Sequence, residues 1–237
     1  MLILRERKEA LTLWNRRRVR TRFARRYLSG EGVEIGALHQ PQPLPAGANA
    51  KYLDRLDTPA LRREYPELDH LPLVEVDIVE DGEDPKSIED ESLDFLIASH
   101  VIEHTEDPVG TIANWLRVLR PGGHLFLVVP DRRRTFDRSR EPQDTAHLLR
   151  DHREGPETSR RQHYREWVDA TSPDEPDPDR LATDLEKQGY RIHFHVWTAE
   201  EFEASLIEIA ETENLPLRIS GTGRNYREFI VVLEKAA

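Results

Sequence analysis

Residues 93–131 read LDFLIASHVIEHTEDPVGTIANWLRVLRPGGHLFLVVPD, and this stretch decides the fold class. Leu93–Ala98 is a short apolar run between Ser92 and Ser99, the length of a strand rather than a helix. Asp107–Leu119 carries Ile112, Trp115, Leu116 and Leu119 at helical spacing. Arg120-Pro121-Gly122-Gly123 stops that helix, because proline cannot continue it and glycine serves its cap. His124–Val129 is then continuously apolar, as a strand covered on both faces should be. Strand, helix, strand is one right-handed crossover of a parallel sheet.

The alternation extends outward. Upstream, Gly32–Ile35, Lys51–Leu53 and Leu73–Asp77 read as strands one to three, with a helix over Thr58–Tyr65. Downstream, Thr198 with Glu201 three residues later forms a capping box for another helix. Leu217–Gly221 and Arg227–Glu234 read as the closing strands. The expected fold is α/β: a Rossmann-like, seven-stranded, mostly parallel sheet with helices on both faces. Residues 1–29 form a basic helical extension, with a helix expected over 5–28, and 30–237 form the α/β domain. Within it, 131–192 is a polar helical insertion after strand five, with helices over Thr145–Arg153 and Ser159–Val168 and a mobile loop over Thr171–Asp179.

The totals exclude several function classes. The chain has 237 residues, 33% of them charged, and a formal net charge of −11. An acidic chain does not suit general nucleic-acid binding, which needs a cationic face. Positive charge is nearly all arginine, with lysine only at Lys8, Lys51, Lys86, Lys187 and Lys235. Cysteine is absent, which removes disulfides, thiol nucleophiles and cysteine-ligated zinc. No apolar run approaches the ~18 residues of a membrane span, and Met1–Leu4 is too short for a signal-peptide core. A cytoplasmic protein without stable membrane insertion is expected; a homodimer is left open. The arginines between Trp14 and Tyr27 suggest a solvated helix face pairing with the acidic body, or contact with an anionic surface.

Ligands of such sheets bind beyond the carboxyl ends of the strands, near the switch in strand order. The residues there are Glu34-Ile35-Gly36, Asp54, Asp77, Ser99–His104 and Pro130-Asp131. Carboxylates at these tips do not suit a phosphate-rich ligand. Asp54 is placed to accept from ribose hydroxyls, Asp77 from an adenine amino group, and Glu34 sits near a cationic or amino-bearing moiety. Together they describe a nucleoside carrying an amino acid and a positive centre, S-adenosyl-L-methionine (SAM). Gly36, Ala37, Arg55, Ile78 and Ser99 flank these acids and complete the expected cofactor set.

Four stretches carry a family resemblance: GVEIGALHQP (32–41), FLIASHVIEHTEDP (95–108), WLRVLRPGGHLFLVVPD (115–131) and HFHVWTAEEF (193–202). The chain resembles class I SAM-dependent methyltransferases with type 11 or type 12 methyltransferase domains. It resembles a variant with an EIGALxxP loop, associated with polysaccharide and glycosyltransferase loci, and so with polysaccharide biosynthesis. Gly36 matches the family's first loop glycine, while Leu38 and Gln40 stand where later glycines fall; ordinary negative φ would let such side chains fit. The resemblance implies an active SAM loop in variant form.

For methyl transfer to a hydroxyl, a base should take the proton, and histidine is the commonest choice. His100 is the first candidate, with His195 and His193 behind it; His104 reads as structural, steadying the turn with Glu103. His100, Asp131, His193 and His195 could furnish metal ligands, but no spacing compels a metal and none is expected. The insertion should cover the acceptor. Arg132, Arg133, Arg134, Arg150, Arg153, Arg160 and Arg161 suit an anionic acceptor or pairing with nearby acids. Tyr164, Trp167 and Trp197 suit stacking on a sugar face or the core. The reading is a SAM-dependent methyltransferase acting on a small-molecule or glycan acceptor, a sugar hydroxyl first. Its alternatives are a catalytically inactive partner protein that keeps the fold, and a nucleotide-sugar or NAD enzyme, against which the missing pyrophosphate glycines speak.

Overall fold

The computed structural model describes residues 16–237. Seven strands form one sheet: β1 (Gly30–Ile35), β2 (Ala48–Asp54), β3 (Ile78–Val79), β4 (Leu93–Ser99), β5 (Leu119–Pro130), β6 (Leu217–Asn225) and β7 (Glu228–Lys235). Their order is β3-β2-β1-β4-β5-β7-β6. The first five are parallel, and β7 inserts antiparallel between β5 and β6. The expected seven-stranded, mostly parallel architecture is what forms. The chain leaves β1 toward β3, with α2 (Thr58–Glu64) between β2 and β3, then returns to β4 on the other side, so the switch in order lies between β1 and β4. A crevice opens there beyond the strand ends.

Alternation along the strands feeds two cores, because successive side chains point to opposite faces. Leu96 and Ala98 of β4 join Leu125, Leu127 and Val129 of β5 under α3 (Pro108–Val118) and α7 (Ala199–Glu213). Phe95, Ile97, Phe126 and Val128 point the other way, with Ile230 and Val232, and are covered by Ala24 and Leu28. Ala24 belongs to α1 (residues 16–27), so this helix is a layer of the domain rather than an appendage. Its Arg20 makes two 2.8 Å contacts with Glu228 of β7, and Arg16 reaches the same carboxylate. Both arginines thus pair with the acidic body. The expected helix over residues 5–15 lies outside the described residues.

Several boundaries differ from expectation. Strand three is Ile78–Val79, not Leu73–Asp77. The upstream segment is held by isolated bonds, Val74 N–H to the Leu38 carbonyl and Asp77 N–H to that of Tyr52, and no ladder forms there. Strand β5 starts at Leu119, which pairs with Leu93 before a bulge; the ladder resumes at His124 opposite Phe95. Gly123 sits inside that bulge, where a Cβ would come within 2.9 Å of the Arg120 carbonyl oxygen. Only glycine allows that approach.

The insertion holds three helices: α4 (Thr145–Glu154), α5 (Glu157–Thr171) and α6 (Pro178–Gln188). Helix α6 takes over the end of the segment read as a loop. Asp177 caps it by accepting from Arg180 N–H, and Pro178 takes the first helical position, where its missing N–H costs nothing. Tyr164, Val168, Ala182, Ile192 and Phe194 give the insertion its own small core. No helix among the described residues is long and apolar enough to cross a membrane.

Candidate active site

A cleft of about 830 Å³ opens at the carboxyl ends of β1, β2 and β4. Of the expected cofactor residues, Gly36, Asp54 and Arg55 line it. Gly36 turns the chain at a φ of 67° directly after β1, and a Cβ there would meet Val101 at 3.4 Å. Leu38, also in the wall, has a φ of 48°. The larger side chain therefore sits in the left-handed region that glycine would enter freely, not at negative φ as expected. Burial raises the Asp54 carboxyl above its ordinary value, while the Arg55 and Leu56 backbone N–H groups and the Arg55 charge pull it partly back.

The other expected residues do not line the cleft. Glu34 is 1% exposed, and its two oxygens accept from Gln42 N–H at 2.9 and 3.0 Å. Burial lifts it to about 7, against the Gln42 bond and the charge of Arg20. It staples the loop after β1 from behind. Asp77 accepts from Tyr52 N–H at 2.8 Å and ties the segment before β3 to β2. Ala37 is buried, Ile78 pairs with Leu53, and the Ser99 hydroxyl is buried with no hydrogen-bond partner.

Lining residues that the sequence reading missed include Asp81, Gly82, Glu83, Tyr190 and Arg191. The first three follow β3. Placing that strand several residues early put its carboxyl tip at Asp77 instead. Arg191 bonds Glu83 at 3.1 Å across the cleft mouth, joining insertion to sheet.

His100 lines the cleft, at a φ of 57°. Its Nε2 lies 3.0 Å from Glu228 and its Nδ1 3.5 Å from Glu103. Burial alone would lower this imidazole, but the two carboxylates outweigh it and raise it to about 9. Glu228 is held well below the carboxylate range; burial opposes this, and His100 and the Arg20 and Arg16 guanidiniums overcome it. With a carboxylate facing each ring nitrogen, the surroundings of His100 favour its cationic form, which offers no lone pair to a base role. His104 also lines the cleft, and its Nδ1 lies 2.8 Å from the Ile192 carbonyl. A carbonyl only accepts, so Nδ1 carries the proton and Nε2 the lone pair. Burial is the main cause that holds His104 below its ordinary value, with the nearby Glu103 opposing.

His193 and His195 lie outside the lining, and they separate: His193 bonds Asp137 at 2.8 Å, while His195 is fully buried, with Nδ1 3.1 Å from the Thr105 carbonyl. Of the other possible metal ligands, Asp131 pairs with Arg133 and His100 with Glu228. Five of the seven arginines named above face carboxylates: Arg132 to Glu201, Arg133 to Asp131, Arg153 to Glu213, Arg160 to Glu106 and Arg161 to Glu186. Trp197 and Tyr164 are core residues, and Trp167 packs edge-on to Phe136 at 5.0 Å.

Residues 50–127 match a family model described as a methyltransferase domain. An uncharacterized 37.1 kDa protein in transposon TN4556 of Streptomyces fradiae is 40% identical over 63 residues, 27% of this chain and only 18% of that protein. Among solved structures, the complex of the Haloferax volcanii Trm112 methyltransferase activator with a candidate methyltransferase superposes at a TM-score of 0.51 and 11% identity, covering 98% of this chain and 93% of that one. A SAM-dependent methyltransferase of Methanosarcina mazei gives 0.48 and 16%, over 90% and 96% of the two chains. Residues 50–127 therefore match a methyltransferase domain, and the chain has the Rossmann-like fold of the methyltransferase structures it superposes on.

Proposed function

We propose that this chain transfers the sulfonium methyl group of SAM to a hydroxyl of a small polar acceptor, a sugar or glycan-like molecule. The observation that carries the reading is the charge of the cleft. Asp54, Glu64, Glu67, Asp81 and Glu83 line it against Arg55, Arg191 and the His100 cation, each of which already faces a carboxylate. Such a wall attracts a cationic donor and repels a pyrophosphate. Asp54, half-buried at the tip of β2, gains hydrogen bonds from ribose hydroxyls. Gly36 turns the chain away where a side chain would narrow the cleft. Bound SAM supplies an activated methyl whose leaving group is a neutral thioether.

The chain's own work is positioning and proton removal. His104, neutral and with its tautomer fixed by Ile192, is the base. His100, whose two N–H groups face Glu103 and Glu228, lends its positive charge to the cleft wall beside the acceptor oxygen. With five of the insertion's arginines engaged by carboxylates, a neutral acceptor suits the site better than an anionic one. The test is a methyl-transfer screen over nucleotide-sugars and short neutral glycans, with and without Mg²⁺. The expected result is turnover of a neutral hydroxyl acceptor, reduced about 10²-fold in His104→Gln with SAM affinity kept. A folded chain that binds SAM but methylates none of them would undo the acceptor assignment. One that does not bind SAM would favour the inactive partner protein.

A further inference from the structure

Away from the cleft, α4, α5 and the segment after α6 bring four donors together: His147, Asp151, His163 and His195. Their exposures are 9, 1, 2 and 0%. Asp151 Oδ2 lies 3.0 Å from His147 Nε2, 3.8 Å from His163 Nε2 and 3.9 Å from His195 Nε2. His147 Nε2 and His163 Nε2 are 3.2 Å apart. With metal–ligand bonds of about 2.0–2.2 Å, the corners of a tetrahedral site lie about 3.3 Å from one another. The observed separations bracket that value.

Hydrogen bonding alone does not satisfy the cluster. His195 Nε2, His163 Nδ1 and Asp151 Oδ1 are buried without a partner. His195 Nδ1 faces the Thr105 carbonyl at 3.1 Å and must carry the proton, which leaves the Nε2 lone pair directed at Asp151. A second contact of the kind that orients metal ligands is Ser159, whose hydroxyl donates to Asp151 Oδ2 at 2.9 Å. Arg150 stands 3.0 Å from His147 Nδ1. It is a surface residue, free to turn to solvent as the His147 proton moves from Nε2 to Nδ1, which leaves the Nε2 lone pair for an ion.

We infer that His147, Asp151, His163 and His195 form a closed four-coordinate site for a divalent transition-metal ion, Zn²⁺ by its donor set, which ties the inserted helices to the sheet. Three imidazoles and one carboxylate suit Zn²⁺ and not Mg²⁺ or Ca²⁺, which take oxygen ligands. Four protein donors, all buried, leave no open position, so the ion is structural. The tie to the sheet is short. Phe194 N–H and His195 N–H both donate to the Glu103 carbonyl, in the turn that carries His100 and His104.

The test is metal content by mass spectrometry of the purified full chain, with Zn²⁺ and Co²⁺ uptake after chelation. The expected result is about one equivalent of Zn²⁺ per chain, the visible spectrum of tetrahedral Co²⁺ on reloading, and a fall in Tm on chelation. Asp151→Asn and His163→Gln should lose both uptake and the chelator response. His152→Gln should keep them, because that histidine faces Asp107. Where a variant does not fold, uptake by the unsubstituted chain decides. A folded chain that takes up neither ion would overturn the site, as would uptake unchanged in Asp151→Asn and His163→Gln, or equal uptake of Mg²⁺.

Discussion

His100 illustrates how burial and pairing compete at one residue. Its ring keeps 38% of its surface, on the cleft side, while Glu228 is fully enclosed. Partial exposure weakens the pair through solvent screening. The folded-state value near 9 lies above the ordinary 6.5. His100 therefore contributes stability that is complete below about 6.5 and disappears as pH rises through 9. Glu228 runs the other way: its contribution is complete above its ordinary 4.5 and is lost as pH falls toward its depressed value. The expected outcome is that His100→Gln lowers Tm at pH 6, and that the gap from the parent chain narrows toward zero above pH 9. A gap constant across that range would mean that the imidazole is not held as a cation. In sequence, His104 reads as structural because a Glu-His pair after a strand is turn chemistry. Burial holds its pKa down and the Ile192 carbonyl, 88 positions away, fixes its tautomer, and no local pattern reveals either.

Among the elements, those with a strong local signal were legible. Strands β4 and β5 are near-continuous apolar runs because cores lie on both faces. Helix α7 announced itself through Thr198 and Glu201, and both halves of that capping box form. Thr198→Ala should cost about 0.5–2 kcal/mol, read from a shifted urea midpoint at unchanged slope; no shift would mean that tertiary packing alone sets the helix start. Elements held by tertiary contact were not legible. Strand β3 has only two residues, and its ladder depends on Leu53 and Asp54. Helix α6 begins inside a run of Pro and Asp that reads as a loop, and it is held by Ala182 packing with Tyr164 and Val168. The buried histidine cluster draws on residues 147, 151, 163 and 195, so no spacing rule could assemble it.

At the scale of the whole molecule, the sheet needs both of its coverings. Without residues 1–29, Phe95, Phe126 and Ile230 would face water across one side of the sheet. Exposed apolar surface of that kind drives association. Deletion of 1–29 should give an aggregating chain that binds a hydrophobic dye; a soluble, cooperatively unfolding product would show that α1 is dispensable. The same architecture sets the cleft at the switch between β1 and β4, with Asp54 at its wall and an excess of carboxylates around it. Titration calorimetry of SAM and of NAD into the folded chain tests this most directly. The prediction is saturable one-to-one binding of SAM, weakened roughly ten- to hundredfold in Asp54→Asn through loss of a charged hydrogen bond of about 1.5–3 kcal/mol, with no binding of NAD. A folded chain that binds NAD and not SAM, or that binds SAM equally well with Asp54 replaced, would contradict it.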